Sequence, residues 1–225
     1  TAYEIGVRLV GSEMCIRDRS LDIESTGGRT GFLDLVTVAD FLVVGDNSLE
    51  IERLGLRRDK LAKTNQRLIV TSITPFGLTG PTSSYLGDDL IAISAGGMAY
   101  ATPGIPDMVR DPDMEPPLRS NTHMAGYLAG VQSAVASVAA LLSREIRGIG
   151  CEIDLSIQEA VAAVMPFELA HASYHQAKTR RPEIFGVMPN TYLPCRDGYV
   201  VIMAVMDSHS VSYTHLRAHE TDSYL

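Results

Sequence analysis

Two short apolar segments separated by a helical segment constrain the fold of this chain more than any other feature. Residues 40–45 (DFLVVG) run into the turn-forming sequence 46–48 (DNS), and residues 67–74 (RLIVTSIT) are rich in β-branched side chains. Both segments are therefore predicted to be buried strands. Ser48 is predicted to cap a helix between them. The order strand, helix, strand favours a parallel βαβ unit with a right-handed crossover, and hence an α/β sheet.

The rest of the chain continues this alternation. Helices are predicted over 29–39, 88–97 and 123–146, and strands over 151–155 and 199–205. Ser156 is predicted to cap a further helix that is kinked at Pro166. The predicted fold class is α/β, a doubly wound, Rossmann-like parallel sheet with long helices rich in small residues. Ligands of such sheets bind beyond the carboxyl ends of the strands, so the segment after Thr74 is expected to face a ligand.

Composition excludes several classes of function. A net charge of -8 without a large cluster of Lys and Arg argues against a nucleic-acid partner. The three cysteines are far apart and form no CxxC or Cys/His pattern, so no metal site is predicted and a cytoplasmic location is expected. The most apolar segment, residues 127–142, is too short and too rich in small residues for a membrane span, so a buried helix is predicted.

The two ends of the chain differ in character from its interior. Residues 1–20 and 208–225 have neither helical nor strand periodicity. Both resemble translated sequencing-adaptor DNA, notably GVRLVGSEMCIRDR and VSYTHLRAHET. We therefore expect both ends to be non-native and residues 21–207 to form the folded part.

Five segments resemble one known family in both order and spacing: 51–56 (IERLGL), 67–81 (RLIVTSITPFGLTGP), 87–103 (GDDLIAISAGGMAYATP), 139–161 (AALLSREIRGIGCEIDLSIQEAV) and 189–202 (PNTYLPCRDGYVVI). The family is that of the class III CoA-transferases, which includes formyl-CoA, carnitine and bile-acid CoA transferases and the α-methylacyl-CoA racemases. Its members have further segments before and after the matched region, so the resemblance implies an internal fragment, a partial family domain.

The resemblance also implies an assembly and a reaction. Family members form an interlocked homodimer, and they move CoA between an acyl-CoA thioester and a carboxylic acid through a covalent enzyme intermediate. Coenzyme A or acyl-CoA is then a substrate, and no permanently bound cofactor is expected. A carboxylate nucleophile of this kind requires nearby groups that stabilise an oxyanion.

The resemblance places the catalytic positions at two points. The family's GxD aspartate matches Asp89, and an ungapped count places the family's nucleophile at Gly126, which has no side chain to react. His123 lies one turn earlier and is the nearest ionisable substitute, so Asp89 and His123 are the candidate catalytic residues. Each has a structural alternative, since Asp88 and Asp89 also suit a helix N-terminus and His123 also suits a helix cap.

Three residues are candidates for CoA binding. Arg53 and Leu54 match family positions that contact CoA, and an arginine suits phosphate recognition. Thr74 ends its predicted strand where the ligand-facing loop begins. A surface ion pair is the alternative for Arg53, and residues 45–47 (GDN) replace the Asn-Phe-Arg-like sequence of the family.

Three functions remain open at this point. A CoA-transferase is the first. An α-methylacyl-CoA racemase is the second, although the racemases place a histidine where this chain has Asp88. A non-catalytic subunit that binds CoA or takes part in dimerisation is the third, and it is motivated by Gly126.

Overall fold

A computed structural model of the chain describes residues 20–102, 111, 114–118, 120–176, 190–203, 206–209, 211–212 and 214–215. Its helices are α1 (Thr26–Val38), α2 (Ser48–Arg53), α3 (Arg58–Leu61), α4 (Asp89–Ala95), α5 (Met98–Ala101), α6 (Met124–Arg147), α7 (Ile157–Ala162) and α8 (Pro166–His175). Its strands are β1 (Phe41–Gly45), β2 (Ile69–Thr74), β3 (Glu152–Ser156), β4 (Asn190–Cys195) and β5 (Gly198–Met203). Most of the two ends predicted to be non-native lies outside the described residues.

The main sheet is parallel and has the order β1-β2-β3. Val43 pairs with Thr71, and Thr71 pairs in turn with Ile153, so the three strands end at the same edge. The predicted α/β class is therefore confirmed. The predicted strand over 199–205 corresponds to β5 (Gly198–Met203), the second strand of an antiparallel pair with β4; residues 204 and 205 lie outside the described residues.

Helices cover both faces of this sheet, as expected for a doubly wound arrangement. On one face, Val36 of α1 and Leu61 of α3 pack with Val70 of β2 in a single buried cluster. On the other face, the Thr71 hydroxyl lies 2.8 Å from the Ser137 hydroxyl of α6. Side chains of adjacent strand residues point to opposite faces, so these two contacts place α1 and α3 on one side and α6 on the other.

Two local predictions are corrected by the structure. The cap of α2 is Asn47 and not Ser48, because the Asn47 side chain accepts the Glu50 N–H at 3.0 Å and the helix already begins at Ser48. Pro166 does not kink a continuous helix; it begins the separate helix α8, where its missing N–H costs nothing. The predicted cap by Ser156 is confirmed, since its hydroxyl accepts the N–H of Glu159.

A buried arginine fixes the C-terminal end of α6 to the start of the sheet. Arg144 is only 5% exposed. Its guanidinium donates to the Asp40 carboxylate at 2.8 Å and to the Arg67 carbonyl at 3.2 Å. These residues precede β1 and β2, so α6 begins near the carboxyl edge of the sheet and ends near the opposite edge.

Candidate active site at the carboxyl edge of the sheet

A cleft of about 660 Å³ lies where β1 and β2 end. Its walls are the loop after β1, the residues at the end of β2, the start of α4 and the first residue of α7. The lining residues are Gly45, Asp46, Asn47, Ile73, Pro75, Leu86, Gly87, Asp88, Ile91 and Ile157. Most of these side chains are apolar, the two charged ones are carboxylates, and none of the described lining residues is basic.

The two adjacent carboxylates at the start of α4 have different roles. Asp88 is the N-cap, and its carboxylate accepts the Ile91 N–H at 3.0 Å. Asp89 reaches away from its own helix and accepts the Ala125 N–H, in the first turn of α6, at 2.8 Å. The second carboxylate oxygen of Asp89 is buried and has no hydrogen-bond partner among the described residues. Asp88 therefore caps a helix at the cleft, whereas Asp89 joins the starts of two helices.

The second candidate catalytic residue, His123, lies at the start of α6. His123 is the N-cap of α6, but its side chain makes no cap hydrogen bond and is exposed. It is two residues from Ala125, to which Asp89 is bonded. Gly126 is also exposed, and a Cβ added there would meet only the Cβ of His123, at 3.9 Å. A carboxylate side chain would fit at position 126, and this chain does not have one.

Thr74 does not line the cleft. Its side chain is fully buried, and its hydroxyl has no hydrogen-bond partner among the described residues. The neighbours Ile73 and Pro75 line the cleft instead. The loop that follows is anchored from β3, because the Asp154 carboxylate accepts the Leu78 N–H at 3.0 Å.

Arg53 and Leu54 lie at a second, more polar cavity of about 670 Å³ that also includes Glu24 and Arg29. Arg53 donates to the Glu24 carboxylate at 2.5 Å and to Glu50 at 2.8 Å. The hydrogen bond from Arg53 lowers the pKa of both Glu24 and Glu50, and bonding to the two carboxylates raises the pKa of Arg53. Arg53 is thus already neutralised, and an anionic ligand has to displace a glutamate to reach it.

The predicted site residues therefore fall into two groups. Asp89 is bonded to the first turn of α6 and His123 is the N-cap of that helix, while Arg53 and Leu54 belong to the separate polar cavity. Thr74 is buried and belongs to neither group. Sequence reasoning did not assign the cleft-lining segment 45–47 to the site. Ligands bind at the carboxyl ends of parallel strands, and this rule applies to β1 as much as to β2. Applied to β1, the rule would have identified segment 45–47 as part of the cleft.

Among the described residues, no group of three or more His, Cys, Asp or Glu side chains is arranged to hold a metal ion.

Two solved structures are similar to this chain. The structure of a CAIB/BAIF family protein from Brucella suis is 26% identical, has a TM-score of 0.68, and matches 89% of this chain and 51% of its own. The structure of a mutant of Rv3272 from Mycobacterium tuberculosis is 24% identical and has a TM-score of 0.72. The match covers 89% of this chain and 50% of Rv3272, and at this identity it shows only that the two share a fold.

A curated relative gives the same assignment. Subunit BbsE of the succinyl-CoA:(R)-benzylsuccinate CoA-transferase of Thauera aromatica is 33% identical over 199 residues, which are 88% of this chain and 46% of the relative. The chain thus spans about half the length of the relatives it matches. The family model described as CoA-transferase family III matches residues 17–221. The chain belongs to CoA-transferase family III.

Proposed function

We propose that the protein containing this chain transfers CoA from an acyl-CoA thioester to a carboxylic acid, with the cleft at the carboxyl edge as the binding site. The observation that supports this proposal most is the position of the cleft. It lies at the ends of β1 and β2, and its wall includes Asp88, whose neighbour Asp89 is bonded to the start of α6. The family resemblance places the reacting group at that helix start, so the proposal holds the thioester next to it.

The charges of the two cavities suit different parts of CoA. The cleft has an apolar wall with Asp46 and Asp88, which repel phosphate, so it suits the uncharged pantetheine arm. The phosphates belong at the polar cavity, where Arg29 and Arg53 supply positive charge. Arg53 then exchanges its bond to Glu24 for a bond to phosphate. Leu54 contributes apolar contact there, and the buried Thr74 acts only by placing its neighbours in the cleft wall.

The chemistry we propose uses His123 as the attacking group, because Gly126 has no side chain. A ring nitrogen of His123 attacks the thioester carbonyl, the carbon–sulfur bond breaks, and CoA leaves as its thiolate. The acceptor carboxylate then attacks the acyl-histidine, which gives a mixed anhydride and restores the imidazole. The CoA thiolate attacks the acceptor carbonyl of this anhydride, so the acceptor thioester forms and the original acid leaves. Asp89 holds the helix start that presents His123.

The acyl-enzyme is open to direct measurement by mass spectrometry of the intact protein after mixing with an acyl-CoA and quenching. We expect an acyl adduct that hydroxylamine removes, that is lost in His123→Ala, and that persists in the neighbouring control Thr122→Ala. An adduct that survives in His123→Ala would refute the role of His123. If CoA binds and no adduct forms with any acyl donor, the covalent mechanism of this chain is wrong.

A second candidate is a subunit that binds CoA and leaves the chemistry to another chain. The specific observation is Gly126, an exposed residue with room for a side chain at the nucleophile position. The relative from Thauera aromatica is itself named as a subunit. For this candidate we expect CoA binding without an adduct in the unmodified chain, and an adduct in Gly126→Asp but not in the control Gly126→Ala.

A further inference from the structure

An open cavity of about 370 Å³ lies at the amino edge of the sheet, opposite the candidate active site. We call it the amino-edge cavity, and its lining residues are Arg58, Ala62, Lys63, Gln66 and Ile149. Gln66 precedes β2 and Ile149 precedes β3, so the length of the sheet, about 20 Å, separates this cavity from the cleft. Its volume is within the range of about 300–1,000 Å³ found for small-molecule sites.

The amino-edge cavity is positively charged in a chain whose net charge is -8. Two of its described lining residues, Arg58 and Lys63, are basic, and none of them is acidic. Neither basic side chain forms a salt bridge with a described residue. The polar cavity differs in this respect, because its Arg53 is already bonded to two glutamates. An anion therefore reaches the amino-edge cavity without having to displace a carboxylate.

The guanidinium of Arg58 has donors that the fold does not use. Its Nη2 donates to the Gln66 carbonyl at 3.1 Å, which is its one side-chain hydrogen bond to a described residue. The one carboxylate bonded to Arg58 within the described part of the chain belongs to Glu152, which accepts the backbone N–H of Arg58 at 3.3 Å. Arg57 neutralises that carboxylate through two hydrogen bonds of 2.7 and 2.9 Å. The charge of the Arg58 side chain is thus left for a ligand.

The turn that carries Lys63 and Gln66 is fixed by the residue between them. The side-chain amide of Asn65 donates to the Val36 and Ala39 carbonyls, both at 2.9 Å. These two bonds attach the turn to the end of α1 and the residue that follows it. A ligand at this cavity therefore meets a backbone that is already in place, which lowers the entropic cost of binding.

The opposite wall of the cavity is apolar and is held close to the start of β2. Ile149 is 54% exposed, although its neighbour Gly150 is buried. The Gly150 N–H donates to the Gln66 carbonyl at 2.9 Å, and a Cβ at Gly150 would lie 2.0 Å from the Leu68 carbonyl oxygen. Because the backbones approach so closely, Ile149 is positioned beside the two basic side chains.

We propose that the amino-edge cavity binds a small molecule that has a phosphate monoester at one end and an apolar group at the other. A phosphate monoester has a charge of about -1.5 to -2 at neutral pH, which two cations match better than a single carboxylate charge would. Arg58 bonds the phosphate oxygens and Lys63 adds a point charge. The apolar group lies against Ile149 and Ala62. The inference is independent of the proposed activity, since none of these residues lines the cleft or the polar cavity.

The test is calorimetric titration of phenyl phosphate into the purified 225-residue chain at low ionic strength, where screening is weak. We expect binding that weakens by at least about tenfold in Lys63→Ala and in Arg58→Ala. The matched control is Lys60→Ala, a lysine of α3 that does not line the cavity, and this variant should bind normally. Lys63 is exposed and makes no side-chain hydrogen bond to a described residue, so Lys63→Ala keeps the test valid if Arg58→Ala fails to fold.

Two further titrations test the class of ligand. Benzoate has the same ring with a carboxylate in place of the phosphate, so it should bind more weakly than phenyl phosphate. Inorganic phosphate lacks the ring and should also bind more weakly. Ile149→Ser should reduce the affinity for phenyl phosphate and leave the affinity for inorganic phosphate unchanged.

Three results would overturn the proposal. If phenyl phosphate does not bind, the cavity is not a phosphate site. If binding is lost in Arg53→Ala and retained in Lys63→Ala, the phosphate occupies the polar cavity instead. If benzoate binds as tightly as phenyl phosphate, the site does not select a phosphate.

Discussion

Replacing Asp89 with alanine should destabilise the protein more than the same change at its neighbour Asp88. Asp89 joins α4 to α6 through its bond to the Ala125 N–H, while Asp88 caps only its own helix. Because the two residues are adjacent and have the same side chain, comparing the two variants distinguishes the effect of a contact between helices from the effect of a local helix cap.

The expected magnitude follows from the contacts. A hydrogen bond from a backbone N–H to a charged group contributes about 1.5–3 kcal/mol, and the favourable position at the N-terminus of α6 adds about 0.5 kcal/mol. Removal of the buried, unpartnered oxygen of Asp89 offsets about 1 kcal/mol of this loss. The net cost of Asp89→Ala is about 2 kcal/mol, against about 1 kcal/mol for loss of the exposed cap in Asp88→Ala.

Urea unfolding of the two variants measures these values directly. Asp89→Asn keeps an oxygen that accepts the Ala125 N–H, so it should cost less than Asp89→Ala. Hydrogen exchange gives a second readout, since the Ala125 amide should exchange faster in Asp89→Ala and at the normal rate in Asp88→Ala. If Asp88→Ala costs as much as Asp89→Ala, or if the Ala125 amide is unaffected, the proposed link between the helices is wrong.

Three further predictions follow from the packing and the charges. Gly96→Ala should cost about 1–3 kcal/mol, because the new Cβ would lie 2.5 Å from Val161, whereas Gly130→Ala, which meets nothing within 4 Å, should be tolerated in urea unfolding. Arg144→Ala should cost about 2 kcal/mol by the same measurement, since it removes a buried guanidinium that donates to the Asp40 carboxylate and to the Arg67 carbonyl. The lowered pKa of Glu24 should be visible in acid unfolding. The ionised Glu24 side chain contributes fully to stability above pH 4.5, and this contribution is lost as the pH falls through the lowered pKa. In Glu24→Gln, the free energy of unfolding should therefore fall less steeply below pH 4.5 than in the unmodified protein.

The parallel sheet could be predicted from the sequence because its evidence is local. Short apolar segments such as residues 40–45, followed by turn residues, identify buried strands without any tertiary information. The effect of Pro166 was harder to predict from the sequence, because a proline is compatible both with a kink in a helix and with the start of a helix. Only the path of the folded chain decides between the two.

The candidate site was only partly predictable, because its contacts join distant parts of the chain. Asp89 and Ala125 are 36 residues apart, and Arg53 is bonded to Glu24, 29 residues away. No periodicity or local motif records such pairs. The sequence therefore indicated that an aspartate lies near the site, but not that its partner is the start of α6.

Binding of CoA in the cleft at the carboxyl edge is tested most directly by calorimetric titration of CoA into the protein and one cleft variant. Gly45 lines the cleft and has open space around its Cβ position, so Gly45→Leu should fill the cleft without disturbing the fold. Gly27→Leu, at an equally open position on α1, is the matched control. We expect binding to the unmodified protein and to Gly27→Leu, with affinity reduced by at least about tenfold in Gly45→Leu. Equal affinity in all three proteins, or binding by none, would contradict a CoA site in this cleft.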